Sequence, residues 1–268
     1  MPRSQSMYGV EMIKLNGWVQ DSPSDKDYLF SDVETKLVKV ASSNDEHKLP
    51  EYTPISNQGS LGSCVANATV DALEILMGIQ DPNSVVQLSR LFTYYNARNY
   101  TNDTDKDEGT YIRNAFQSLR DLGVCSENTW TYDIGKVFTQ PSIMAYREAN
   151  DNKIDSFYRI SDTGTKRLEA IIRALNANFP VVFGARVSKQ FTESFNLGEH
   201  LFNSPDVSIG NHAMIVVGYS LYPQLKFYIR NSWGSSWGTN GHCWMSSEYL
   251  TDIGTQDLWV PILVPNFV

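Results

Sequence analysis

Residues 58–66 read Gln58-Gly59-Ser60-Leu61-Gly62-Ser63-Cys64-Val65-Ala66 and place a single thiol directly after a glycine-containing turn. Apolar residues recur with helical spacing from Val65 to Leu76, and Ser63 is a natural N-cap, so a helix is predicted to begin at Cys64 and to stop near Gly78. The N-terminus of a helix carries partial positive charge, which lowers the pKa of a thiol. This segment therefore predicts a nucleophilic cysteine, with a buried structural thiol as the alternative.

Two blocks far downstream supply the partners that a nucleophilic cysteine needs. The first is Gly210-Asn211-His212-Ala213, which opens an apolar strand that ends at Tyr219. A histidine at the start of such a strand can project into a cleft and act as a base for Cys64, although a satisfied core histidine is the more common case. His47, His200 and His242 have no comparable context.

The second block is Arg230-Asn231-Ser232-Trp233-Gly234-Ser235-Ser236-Trp237-Gly238. The side-chain oxygen of Asn231 can accept a hydrogen bond from His212 and hold its tautomer, and Trp233 can shield that bond from water. The Gln58 carboxamide and the Cys64 backbone N–H could bind the oxyanion of acyl transfer. The alternatives are a turn asparagine, a core tryptophan and a surface glutamine.

Composition excludes several classes of function. The net charge is −8 and the pI is near 5.0, without a basic cluster, so nucleic acid and anionic membranes are poor partners. The apolar runs are too short to span a bilayer. The three cysteines are too few for a disulfide framework and lack metal-ligand spacing, so we expect no metal or cofactor. We expect Cys125 and Cys243 to be buried, unreactive thiols, with a disulfide between them as the alternative. Met1–Tyr8 has no signal-like apolar segment, which leaves the cytoplasm, secretion after processing or a non-signal route open.

The chain divides into a polar leader, residues 1–48, and a folded unit, residues 49–268. The leader is predicted to be mostly loop. Residues 49–152 read as helical, with further helices at 88–98 and 111–122, the latter closing at Gly123. Residues 153–268 read as β-rich, with strands at 154–160, 181–187, 213–219, 226–230 and 258–264 and one helix at 165–177. This order predicts an α+β fold with a cleft between two lobes.

The three blocks together resemble the papain-like cysteine peptidases, the family of papain and the cathepsins. Weaker similarity passes through Gln87-Leu88-Ser89 and Gly109-Thr110-Tyr111 and covers most of residues 49–268. The chain departs from the common pattern at Leu61, where many members have a cysteine, and at Val65, where a tryptophan is usual. The resemblance therefore indicates a divergent, microbial branch of the family.

The resemblance implies a two-lobed fold, with a helical left lobe and an antiparallel, β-barrel-like right lobe that enclose the active site. It implies Cys64 as nucleophile, His212 as base and acid, Asn231 as orienting residue and Gln58 as oxyanion donor. It also implies a substrate-binding set, namely Gly109, Thr110, Asn211 and Trp233. The expected partner is a peptide or protein substrate, and the expected state is a monomer.

Three alternatives remain open. The leader is either an inhibitory pro-segment that crosses the cleft or a decoration packed elsewhere. The chain as a whole could also be a non-hydrolytic peptide-binding homologue. A third reading is a thiol enzyme that transfers the acyl group to an acceptor other than water.

Overall fold

The computed structural model describes residues 13–37, 45–195 and 201–264. Its helices are α1 (Glu34–Leu37), α2 (Cys64–Gln80), α3 (Arg90–Asn99), α4 (Ile112–Asp121), α5 (Ile143–Ala149), α6 (Gly164–Asn176), α7 (Lys189–Thr192) and α8 (Ser247–Thr251). Its strands are β1 (Glu46–Lys48), β2 (Ser156–Ile160), β3 (Val181–Val187), β4 (Leu201–Phe202), β5 (Gly210–Ser220), β6 (Lys226–Arg230), β7 (His242–Ser246) and β8 (Thr255–Ile262). Helices dominate the first half and strands the second, so the predicted α+β layout is confirmed.

The strands form one sheet in the order β2-β8-β3-β5-β6-β7-β4, and β1 pairs separately with β5. Every pairing is antiparallel except that of β4 with β7. Helix α2 is buried along nearly its whole length, and it packs against β5 on one side and α3 on the other. Its N-terminus, and with it Cys64, is therefore fixed at the junction of the helical and β-rich parts.

Most predicted elements match the observed ones within a few residues, but the end of α2 was predicted wrongly. The helix continues through Gly78 to Gln80. A methyl group at Gly78 would collide with the ring of Tyr52, so this glycine permits close packing in mid-helix. Ser63 occupies the N-cap position, but its hydroxyl bonds to Tyr132 and Asn67 and does not cap the helix.

A buried ion network links the helical part to the sheet. Asp71 of α2 pairs with Arg90 of α3 and with Arg230 of β6, and the Arg230 Nε–Asp71 Oδ2 distance is 3.0 Å. Arg90 also contacts Glu74, and Arg230 contacts Glu51. Because a buried charge without its partner is strongly destabilising, this network fixes the end of β6, where Asn231 follows.

The described residues contain no helix that is long and apolar enough to cross a membrane. The same part of the chain has no group of three or more His, Cys, Asp or Glu side chains arranged to hold a metal ion. Cys64, Cys125 and Cys243 are all free and buried, as expected for the last two. His242 lies between Glu51 and the Asn240 carbonyl, at 2.7 and 2.9 Å.

The leader crosses the molecule instead of packing as a separate unit. Residues 13–21 run across the junction between α2 and β5, and short helical turns follow at Phe30–Asp32 and in α1. The leader ends in β1, which joins the sheet next to β5. Within residues 13–37 and 45–48, the part of the leader that the structure describes, the chain is mostly loop, as predicted.

Candidate active site

The helix that begins at Cys64 places the thiol against the start of β5. The backbone N–H of Ala213 donates to Cys64 Sγ at 3.4 Å, so the peptide that joins His212 to Ala213 lies beside the thiol. Cys64 and His212 are both fully buried. The two residues are 148 positions apart in the sequence, and the packing of α2 on β5 brings them together.

The hydrogen bonds of Asn231 define the tautomer of His212. Asn231 Oδ1 accepts from the backbone N–H of Ser232 at 2.7 Å, which identifies this atom as the amide oxygen. His212 Nε2 lies 2.7 Å from the same oxygen and must therefore carry a proton to donate. His212 Nδ1 is then the unprotonated nitrogen, and it has no hydrogen-bond partner within the described residues. A free basic nitrogen thus lies on the side of the ring away from Asn231.

Trp233 and Gln58 complete the surroundings of this pair. The Trp233 ring stacks on His212 with centroids 4.4 Å apart, so it covers the His212–Asn231 bond. Gln58 Oε1 accepts from Ser232 Oγ at 2.9 Å and from Trp233 Nε1 at 3.2 Å. These two donors fix the amide orientation of Gln58 and direct its Nε2 donor toward the cleft, where it bonds the Leu61 and Lys14 carbonyl oxygens.

Burial sets the protonation states of the pair. Loss of solvent raises the pKa of the Cys64 thiol to about 12, against smaller lowering effects of backbone N–H groups. It lowers the pKa of His212 to about 4, although the hydrogen bond to Asn231 acts in the opposite direction. In this structure the pair is therefore a neutral thiol and a neutral imidazole, and not the ion pair expected of an activated nucleophile.

The leader causes this burial by covering the thiol. A methyl group added at Gly17 would lie 2.8 Å from Cys64 Sγ and 2.6 Å from Gly62 O, so the Gly17 backbone is packed directly on the thiol. Gly17 O accepts from Thr110 N at 3.0 Å, and Val19 N donates to Thr110 O at 2.9 Å. On the opposite wall, Asn16 N donates to Asn211 O at 2.9 Å.

Trp18 anchors the leader beside the thiol. Its buried ring lies against Gly184 of β3, where a side chain would collide with it. Its indole N–H donates to Asp257 Oδ2 at 3.0 Å, and the backbone N–H of Asp21 donates to the same oxygen at 2.6 Å. On the other side of Gly17, Lys14 Nζ pairs with Asp107 Oδ2 at 2.7 Å.

The structure brings the four predicted catalytic residues, Cys64, His212, Asn231 and Gln58, to one place. Among the predicted substrate-binding residues, Thr110 and Asn211 bond the leader backbone. Gly109 does not: it allows the Gly17 carbonyl a close approach, while Thr110 makes the strand-like bonds. Trp233 is buried beneath the pair. The sequence did not predict that four further residues belong to this place: Gly17, Trp18, Asp257 and Ser232. The apolar residues around Gly17 indicated that the leader packs against the protein, but they did not indicate that it lies in the cleft.

Comparison with known sequences identifies the family. The profile of the papain family cysteine proteases matches residues 40–258. An uncharacterized peptidase C1-like protein of Acanthamoeba polyphaga mimivirus is 37% identical over 220 residues, which cover 79% of this chain and 70% of that protein. Cathepsin K of Gallus gallus is 27% identical over 208 residues, which cover 77% of this chain and 59% of the cathepsin.

Comparison with solved structures agrees with this assignment. Xylellain, a cysteine protease from Xylella fastidiosa, superimposes with a TM-score of 0.78 at 27% identity, and the match covers 94% of this chain and 99% of xylellain. The resemblance inferred from three short blocks is thus confirmed over nearly the whole fold. The chain belongs to the papain family of cysteine proteases and is a thiol protease with the papain fold.

Proposed function

We propose that the chain is a cysteine endopeptidase that acts through Cys64, His212 and Asn231. The observation that carries the proposal is the state of His212: Asn231 holds Nε2–H, Nδ1 has no partner within the described residues, and the next residue, Ala213, bonds Cys64 Sγ through its backbone N–H. His212 Nδ1 takes the thiol proton, and the thiolate attacks a peptide carbonyl carbon. Gln58 Nε2 and the Cys64 N–H stabilise the oxyanion. The protonated His212 then gives its proton to the leaving amine, and water hydrolyses the thioester.

We further propose that the leader holds this enzyme inactive. Two contacts support an inhibitory role over that of a bound substrate. The carbonyl at the Gln58 donor belongs to Lys14, at 3.1 Å, whereas the backbone packed on Cys64 Sγ belongs to Gly17. The Gly17 carbonyl is bonded to Thr110 instead. The leader thus contacts the Cys64 thiol and the Gln58 donor with different residues. No carbonyl of this segment lies at both groups, as the scissile carbonyl of a substrate would.

Selective alkylation of the thiols tests the catalytic assignment. With an epoxide thiol inhibitor, we expect the variant Gly17→Val to take up one equivalent on Cys64. The wild-type chain should react at most about one tenth as fast, because its thiol is covered. Cys125 and Cys243 should stay unlabelled, since burial raises the pKa of Cys125 to about 12 and that of Cys243 well above its ordinary value. Peptide mapping by mass spectrometry locates the label.

The outcomes of this experiment separate the candidate functions. Labelling at Cys125 or Cys243 in preference to Cys64 would contradict the assignment. Labelling of Cys64 without hydrolysis of any peptide substrate would favour a non-hydrolytic peptide-binding homologue. Products carrying an added amine would indicate acyl transfer. The Cys125→Ala variant is the matched control and should label as the wild type does.

The pH dependence of inhibition follows from Asp21 in the leader. Burial and the facing carboxylate of Asp257 raise the pKa of Asp21 from 3.8 to about 7, against the lowering effects of Arg113 and the Trp259 indole. Docking of the leader therefore takes up a proton between pH 4 and 7. Inhibition should be tightest below pH 4 and should weaken as pH rises to 7, by at most about ten-fold per pH unit.

The measurement is the activity of the full chain divided by that of Gly17→Val at each pH, which removes the pH dependence of catalysis itself. This ratio should rise from pH 5 to 7 in the wild type and stay nearly flat in Asp21→Asn, which cannot titrate. A ratio that falls with rising pH would show that Asp21 does not govern docking.

A further inference from the structure

Two arginines of the protease domain converge on one carboxylate of the leader. Arg113 of α4 donates to Asp27 through Nε and a terminal nitrogen, each at 2.8 Å. Arg159 of β2 donates to the same carboxylate at 2.9 Å. The Asp27 side chain is only 6% exposed. A bidentate guanidinium supplemented by a second one is a strong and geometrically specific way to bind a carboxylate. The proposed catalytic steps use neither arginine.

Residues of the protease domain also contact both guanidinium groups. Each lies 5.5 Å from the centroid of the Trp259 ring in β8. Arg159 also donates to Asp257 Oδ1 at 2.8 Å. Trp259 and Asp257 belong to the sheet and stay when the leader leaves. The position of Arg159 is therefore largely set before any ligand arrives, which lowers the entropic cost of binding. Arg113 keeps its contact with the Trp259 ring, whereas its side-chain hydrogen bonds go to Asp27 and the Ser22 carbonyl of the leader.

If the leader left the cleft, the two guanidinium groups of Arg113 and Arg159 would carry more positive charge than the remaining acidic residues neutralise. The acidic partners of Arg113 within the described residues are Asp21 and Asp27, and both belong to the leader. Arg159 would keep Asp257. Two guanidiniums and one carboxylate then carry one net positive charge, which matches a single carboxylate better than a doubly charged phosphate. The neighbouring Trp18 site would be vacated at the same time, next to Cys64.

We propose that Arg113 and Arg159, once the leader has left the cleft, form a recognition site for an acidic side chain of the substrate polypeptide. This inference rests on the proposed inhibitory role of the leader. The leader then imitates a substrate at this site through Asp27, although it does not do so at Cys64. The site selects unfolded or extended polypeptides that carry Asp or Glu on the Trp18 side of the cleft, and it does not contribute to the cleavage of dipeptidyl substrates.

Calorimetric titration of the full chain tests the site. The background variant combines Gly17→Val with Asp27→Asn. It lacks the carboxylate that neutralises the two guanidinium groups, even if the rest of the leader stays docked. Triglutamate should bind with one-to-one stoichiometry and weaken with added salt, whereas triglutamine should not bind. Adding Arg113→Gln should weaken binding about ten-fold or more. Arg113→Lys should weaken it less, because lysine keeps the positive charge and loses only the two parallel N–H donors of the guanidinium. Arg120→Gln on the same helix is the matched control and should change nothing.

Absence of triglutamate binding, or equal binding by Arg113→Gln and Arg159→Gln, would overturn the inference. Inorganic phosphate that binds as tightly as triglutamate would overturn the assignment to acidic side chains. The second readout is turnover: Arg113→Gln should raise KM for an acidic polypeptide several-fold more than it changes KM for a dipeptidyl substrate of the same variant, a ratio that cancels any change in leader docking. Equal effects on both substrates would instead indicate a structural role. The rate of Cys64 alkylation, measured in parallel, reports whether the leader has left, so a failure of the proposed inhibition is distinguished from a failure of this site.

Discussion

Replacing Cys64 by alanine is expected to lower kcat/KM for dipeptidyl fluorogenic substrates by a factor on the order of 10,000 or more. In the proposed mechanism the thiol forms the covalent intermediate, and His212, Asn231 and Gln58 have no reaction to assist without it. The comparison belongs in the Gly17→Val background with reductant present, because the cleft is open there and an exposed thiol oxidises readily. Initial rates over a substrate panel give the ratio.

The control for this loss is Cys125→Ala, which also removes a buried thiol. The Cys125 carbonyl accepts from the Ser89 backbone N–H at 2.8 Å, which places Cys125 next to the start of α3. It should retain activity within a few-fold of its parent. Turnover by Cys64→Ala close to that of the parent would show that another group is the nucleophile, and the proposed mechanism would then be abandoned.

Replacing Gly17 by valine is expected to raise the activity of the full chain by about 10- to 100-fold. The added Cβ alone would lie 2.6 Å from Gly62 O and 2.8 Å from Cys64 Sγ. Gly62 lies in the buried turn that leads into α2, and Cys64 is the first residue of that buried helix, so the leader is expected to shift instead. Overpacking of this kind costs about 1–3 kcal/mol, and a loss of that size in the docking free energy of the leader corresponds to the expected 10- to 100-fold rise in activity. Steady-state hydrolysis by equal concentrations of folded protein measures the change.

Gly135→Val is the matched control, since a Cβ there meets only the side chain of Asp133. It should leave activity unchanged. Unchanged activity of a well-folded Gly17→Val chain would favour the alternative in which the leader is a decoration. A truncation starting at Leu49 asks the same question less cleanly, because it also removes β1 from its pairing with β5. The single substitution keeps the sheet complete.

The grouping of Cys64, His212, Asn231 and Gln58 was predictable because each stands in a short block with a distinct local pattern. A helix start, a strand start and a strand end are local features, and the chemistry of acyl transfer connects them. The family fold follows from the same blocks.

Other features could not be predicted because they depend on distant partners. Gly78 resembles a helix stop, but its lack of a side chain serves contact with Tyr52. Strand β7, His242–Ser246, lacks the polar–apolar alternation of a half-buried strand because all five of its residues are buried. Gly17 is one glycine in a polar segment, and only the folded chain shows that it lies on the thiol. Local patterns identify reactive groups, whereas long-range packing determines what covers them.

The pairing of β1 with β5 has a consequence for how the leader binds. Because β1 is hydrogen-bonded into the sheet, the segment that lies over Cys64 is tethered at its C-terminal end to the protein that it covers. A tethered ligand has an effective concentration in the millimolar range. Weak contacts are then sufficient to keep the cleft filled, and dilution of the protein does not empty it. A single cut between Leu37 and Asp45 would turn this unimolecular equilibrium into a bimolecular one, so that at micromolar protein the same contacts would no longer suffice.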